Sequence, residues 1–150
     1  MRAPPAALLL LVLVSCAHIA PSGGSSEDAQ AVATAFFQRM RWLDLRGVGN
    51  LLTAPQRPGF KARVAAEHLD EHLKVTEFEL KEVQRKPDGL TATAQGDLSW
   101  YLEPSVTLVR SAVTLHLTWQ GSTFLIDSIE GGPVELSPLA EVEADAGVAP

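Results

Sequence analysis

Two histidines stand four residues apart at His68 and His72, with Glu71 directly before the second. The spacing matches H-x-x-E-H, the inverted form of a zinc-protease signature. On one helix the two imidazoles are neighbours able to share a zinc ion. Such a centre also needs a third ligand and a far larger scaffold, and the chain offers neither. Leu69 and Leu73 supply a competing reading, an apolar stripe with Glu67, His68, Asp70, Glu71 and His72 around it. His72 near the helix C-terminus would also interact favourably with the helix dipole. The stretch is read as a solvated helix face, and no catalytic residue, metal or cofactor is expected from it.

The second reactive side chain is the only cysteine, Cys16, which excludes an internal disulfide. It ends the segment MRAPPAALLLLVLVSC: one arginine, an apolar run from Ala6 to Val14, then a small residue. That run is too short to cross a bilayer as a helix, which takes about 20 residues, and suits the h-region of an export signal. The stretch LVSC resembles the lipobox of bacterial lipoproteins. The resemblance implies removal of residues 1–15, a diacylglycerol on the Cys16 sulfur, and acylation of the new amine. A thiolate is the nucleophile that thioether formation calls for, and Ser15 is small enough for a peptidase to reach the bond. Ala17 follows where an aspartate would resemble an inner-membrane retention signal, so the expected location is the bacterial cell envelope, anchored in the outer membrane. The alternative is a plain secretory signal cut after Ala17 or Ala20, with no anchor.

The formal net charge is −6 and the basic residues are scattered, so no nucleic-acid partner is expected. One domain is expected from 150 residues. Residues 16–26 read as a Ser/Gly-rich tether. Residues 133–150, acidic and proline-containing with no base, read as a disordered tail, leaving a folded body over 27–132. Ser25 and Asp28 have capping-box spacing, and Ala29, Val32, Phe36, Met40 and Leu43 form a helical stripe that Gly47 and Gly49 should end. A short helical turn through Asn50–Thr53 and a second helix from Phe60 to Leu73 follow. Trp42 lies off the main stripe, as an exposed contact would.

Beyond Lys74 the period changes to two. Thr76, Phe78 and Leu80 alternate with charged residues, and KPDG at 86–89 marks a hairpin turn. Leu90, Ala92, Ala94, Leu98, Trp100 and Leu102 share the next strand face, with a bulge or bend expected at Gly96. Val109, Val113, Leu115, Leu117 and Trp119 share the one after, and TFLIDSIE closes the sheet. Helices first, then an antiparallel meander, predict an α+β fold with N-terminal helices on one face of a curved four-stranded sheet.

This order, ending in TWQGSTFLIDSIEG with Phe124, Ile126 and Ile129 in an aromatic-x-Ile-x-x-Ile pattern, resembles the nuclear-transport-factor-2-like superfamily over residues 27–131. The resemblance implies a cone-like domain with a pocket between helices and sheet. Phe36, Met40, Trp100, Leu115, Leu117, Trp119, Phe124 and Ile126 would line that pocket for an apolar small ligand, unless they fill it as core. Isomerases of this superfamily place a carboxylate in the cone, often with a tyrosine. Here strand parity turns Tyr101, Asp97 and Glu103 outward, and His116 opposes Leu115 and Leu117. Asp127 remains the one sheet carboxylate near the right end. The resulting expectation is a lipid-anchored, non-catalytic binding or assembly module. Its partners would be the membrane through acylated Cys16, an apolar ligand or an envelope protein, and a second copy through the outer sheet face near Tyr101, Arg110 and His116. The alternative is a small-molecule isomerase or lyase using the cone pocket.

Overall fold

The computed structural model describes residues 23–139. Cys16, the expected signal and most of the expected tether and tail lie outside the described residues. Four helices, α1 Ser26–Arg41, α2 Leu45–Leu51, α3 Arg57–Ala66 and α4 Leu69–His72, precede four strands. The strands β1 Leu73–Arg85, β2 Thr91–Leu102, β3 Val109–Trp119 and β4 Phe124–Glu130 form one antiparallel sheet in sequence order, open rather than closed into a barrel. The fold is α+β, with helices packed against a four-stranded antiparallel sheet. Among the described residues no helix is long and apolar enough to cross a membrane.

The capping box forms: the Asp28 amide donates to Ser25 Oγ at 3.0 Å, and the Ser25 amide donates to the Asp28 carboxylate at 2.8 Å. Ser25 Oγ also donates to the Asp28 carboxylate at 2.8 Å, and the Ser25 backbone bond first, then this one, hold the Asp28 carboxyl below its ordinary value. Gly47 and Gly49 do not end α1. The helix stops at Arg41, Leu43 takes a positive φ of 56°, and both glycines lie inside α2. Asp44 explains the restart, since its side chain accepts the Gly47 amide at 2.9 Å as an N-cap. Trp42 is 79% exposed, with the Arg41 guanidinium 5.7 Å from its ring centroid.

The expected helix from Phe60 to Leu73 is two. It begins earlier, at Arg57 with Pro58 in the first turn, and breaks where His68 adopts left-handed φ and ψ of 50° and 43°. The H-x-x-E-H stretch therefore straddles a break, so the assumed single-helix placement of the two histidines is wrong. Their rings lie 6.2 Å apart at the surface. Among the described residues no group of three or more metal-ligating side chains comes together.

α1 lies against β1 and the inner sheet face, burying Ala29, Val32, Ala33, Phe36, Phe37 and Met40 against Leu98, Val113, Leu115, Leu117, Phe124, Ile126 and Ile129. Two register shifts in β1, between Val75 and Glu77 and between Leu80 and Glu82, change which residues face in. Leu73 and Val75 are buried first, then Phe78 stacks on Phe37 at 5.9 Å; Thr76 falls at the first irregularity and bonds the Ser99 carbonyl. Gly96, the expected site of a bulge or bend, pairs with Val113 without a register shift, and the irregularity lies opposite it in β1, directly after its partner Leu80. A Cβ there would fall on the Phe37 ring and the Glu79 carbonyl, so glycine admits the helix.

Both ends of the body extend past the expected limits of 27 and 132. Gly24 is buried beside Trp119 and Phe124, its amide donating to the Gly89 carbonyl at 3.0 Å. At the other end Gly131 and Gly132, both at positive φ, turn the chain back onto β4. Leu136 and Ile129 exchange two backbone hydrogen bonds, and Val134 and Leu136 are buried. The acidic composition beyond residue 132 hid these two apolar side chains.

Candidate functional site

Of the eight residues expected to line a cone pocket, Phe36, Met40, Leu115, Phe124 and Ile126 are fully buried and Leu117 is 2% exposed. They belong to one continuous apolar core, with Trp100 and Trp119 packed half-buried against it. Trp119 meets Phe124 edge-on at 5.2 Å, and Trp100 donates its indole N–H to Ser111 Oγ at 3.1 Å. The structure brings these eight together as packing side chains. Asp127, the candidate carboxylate, accepts from Thr53 Oγ1 at 3.4 Å. Its carbonyl accepts from Gln56 Nε2 at 2.6 Å.

The outward face holds the charged groups that alternation placed there. Asp97 accepts from Lys81 Nζ at 2.8 Å and from both Nε and Nη2 of Arg110, at 3.0 and 2.8 Å. The Lys81 ammonium first, then the Arg110 guanidinium, hold the Asp97 carboxyl below the ordinary 3.8. His116 and Glu130 pair at 2.8 Å. A cleft of about 520 Å³ at the β1 edge is lined by Arg41, Thr76, Glu77, Phe78, Glu79, Asp97, Ser99 and Arg110. Its central charges are already joined, since Arg110 bonds Asp97 and Glu79, and Arg41 donates to the Val75 carbonyl.

A second cleft, about 500 Å³, has a different character. It lies between α2 and α3. On α3, Arg57, Phe60, Lys61 and Val64 follow i, i+3, i+4, i+7 spacing and share one face. On α2, Leu45 and Gly49, and Arg46 and Asn50, are four-residue neighbours turned toward it. Leu45, Phe60 and Val64 make an apolar floor, while Arg46, Arg57 and Lys61 carry positive charge at its walls against the one carboxylate of Asp70. None of the three cations forms an ion pair among the described residues. Among the described residues Arg57 alone of the three has a hydrogen-bond partner, its Nε donating to the Leu52 carbonyl at 3.2 Å, while its Nη groups have none there.

The position of α3 is set from behind. Leu52 bridges to Ile126, and the Thr53 amide donates to the Ile126 carbonyl at 3.0 Å. Gln56, 3% exposed, donates to the Asp127 and Ser137 carbonyls at 2.6 and 3.0 Å. This clamp ties the start of α3 to β4 and the returning segment. Gly49 faces Phe60 across the cleft: a Cβ there would meet the Phe60 ring at 3.6 Å, an ordinary van der Waals contact, so a larger side chain at this position would occupy the space. These lining residues were not picked out in the sequence. The available signal was the R-x-x-F-K-x-x-V pattern from Arg57 to Val64, which pairs cations with apolar residues on one helical face.

No family model matches the chain, and no curated protein matches it. Among solved structures, it is similar to a SEC-C-motif-containing protein from Rhodopseudomonas palustris, with a TM-score of 0.57 and 11% identity over 71% of this chain and 80% of that one. It is also similar to the intermembrane-space region of the chloroplast protein ARC6, with a TM-score of 0.47 and 15% identity over 76% of this chain and 98% of that one. At 11% identity the likeness to the Rhodopseudomonas palustris protein is one of fold alone.

Proposed function

We propose that the chain is a lipid-anchored protein of the bacterial envelope, held through Cys16 and working as a non-catalytic binding module whose recognition site is the α2–α3 cleft. The lipobox resemblance supports the anchor. The observation that carries the binding role is the set of unpaired cations over an apolar floor. Among the described residues elsewhere, Arg39, Arg63, Lys74, Lys81 and Arg110 meet carboxylates, Arg41 and Arg85 bond backbone carbonyls, and Lys86 stands alone, so the cleft is where cations without an ion pair cluster. Charge left without an ion partner beside apolar surface is the composition of a ligand site, mostly apolar with a few placed polar groups. Guanidinium and ammonium groups bind and orient anions and stay protonated near neutrality, so they suit recognition better than proton transfer.

Native mass spectrometry of the full-length protein, extracted gently from envelopes, tests both halves. The expected mass is residues 16–150 plus acyl chains, with a noncovalent companion that Gly49→Leu removes by filling the cleft. Cys16→Ala should lose the acyl mass and the membrane association. An unmodified chain cut after Ala17 or Ala20 would contradict the anchor, and a companion retained by Gly49→Leu would contradict the site.

A further inference from the structure

The α2–α3 cleft restricts what its ligand can be. We infer that it takes a single-tailed amphiphile with a phosphate-monoester head; this rests on the cleft being the recognition site and names its ligand class. Three cations face one carboxylate across about 500 Å³, within the range of small-ligand sites. A phosphate monoester carries about −1.5 to −2 charges near neutral pH and presents three acceptor oxygens, matching two guanidiniums and one ammonium better than a carboxylate does. The chain as a whole is acidic, with a formal net charge of −6, so this local excess of positive charge is a property of the cleft and not of the surface at large. A bare phosphate would leave the accessible apolar lining, Val64 and Ala65 beside the buried Leu45 and Phe60, uncovered. An uncharged chain would leave Arg46 and Lys61 with no anion. Only a ligand with both parts satisfies floor and wall together.

Residue types around the cleft make the test clean. Arg46 and Lys61 are exposed and have no side-chain hydrogen bond or ion pair among the described residues, so glutamine at both positions leaves the fold's own contacts untouched. Gly49 lies within a helix at ordinary backbone angles, so leucine there adds bulk without backbone strain.

The experiment is an amide-resolved NMR titration of residues 16–150, which include every described residue, carrying Cys16→Ala so that no attached acyl chain competes. The probes are decyl phosphate, decanoate, decanol and inorganic phosphate. Decyl phosphate should shift the amides of residues 45–50 and 57–65, and should bind about tenfold or more tighter than decanol or inorganic phosphate, the size of one or two charge-assisted contacts. Arg46→Gln with Lys61→Gln should remove about that factor for decyl phosphate and leave decanol unchanged. Decanol binding the cleft as tightly as decyl phosphate would overturn the head group while leaving the cleft as the binding site. Decanoate binding as tightly would overturn the phosphate assignment in favour of a carboxylate. If no probe moves the cleft amides, the ligand class and the site both fall. Glu141, Glu143 and Asp145 follow the described body with no base among residues 140–150. Should deleting residues 140–150 alone shift the cleft amides, the occupant is the chain's own acidic segment and the small-molecule assignment is overturned.

Discussion

At the scale of single residues, Gln56 positions the site without lining it. Its buried amide bridges the Asp127 and Ser137 carbonyls and fixes where α3 begins. Gln56→Ala removes both bonds and leaves two acceptors unpaired, so unfolding in urea should show a loss of about 1–3 kcal/mol. A loss confined to a few tenths would mean that water replaces the clamp. Asp97 gives a pH signature. Its carboxyl is depressed below 3.8 by Lys81 and Arg110, so the folded state holds the proton less tightly than the unfolded chain. The stabilisation is therefore complete above about pH 4 and fades as pH falls through the depressed value. The urea midpoints of the protein and of Asp97→Asn should differ by a constant amount above pH 4 and converge below it. A difference that widened on acidification would contradict the ion pairs as the cause.

At the scale of elements, Gly96 decides how close α1 comes to the sheet. Gly96→Ala places a methyl against the Phe37 ring and the Glu79 carbonyl, and should cost about 1–3 kcal/mol by overpacking, read as a lowered melting temperature with the sheet intact by circular dichroism. The strands were largely legible in the sequence because alternation survives translation into structure. Ala92, Ala94 and Leu98 in β2, and Val113, Leu115 and Leu117 in β3, face inward as their parity requires. Parity failed where a residue was inserted. The β1 irregularity displaced Thr76, and the shift in β4 pairing lets both Ile126 and Ile129 face the core three residues apart. Helix limits were the less legible part. Gly47 and Gly49 read as terminators, yet the Asp44 cap and burial of Val48 carry α2 through them. That misreading also hid the cleft, because its cations come from two helices whose starts were placed at Asn50 and Phe60 rather than at Leu45 and Arg57. No local pattern states that two helix faces will meet with a gap between them.

At the scale of the molecule, the described chain begins at one end of the domain. Gly24 is held between the β1–β2 turn, through Gly89, and the Trp119–Phe124 pair that flanks the β3–β4 turn. The α1 C-terminus, by contrast, reaches the start of β1, where Arg41 bonds Val75. Near the opposite end, Val106 and Leu108 of the β2–β3 connection are 81% and 60% exposed.

The cations of the cleft place binding between α2 and α3 in the proposed reading, not within the apolar wall of the sheet. Hydrogen–deuterium exchange on the full-length protein, compared as extracted from envelopes and after its bound companions are stripped away, tests this most directly. With the ligand held in the cleft, stripping should speed exchange in residues 45–50 and 57–65 and leave β2, β3 and β4 unchanged. Faster exchange around Trp100, Leu115, Trp119 and Phe124, with α2 and α3 unaffected, would contradict this placement and move the site to the inner wall of the sheet.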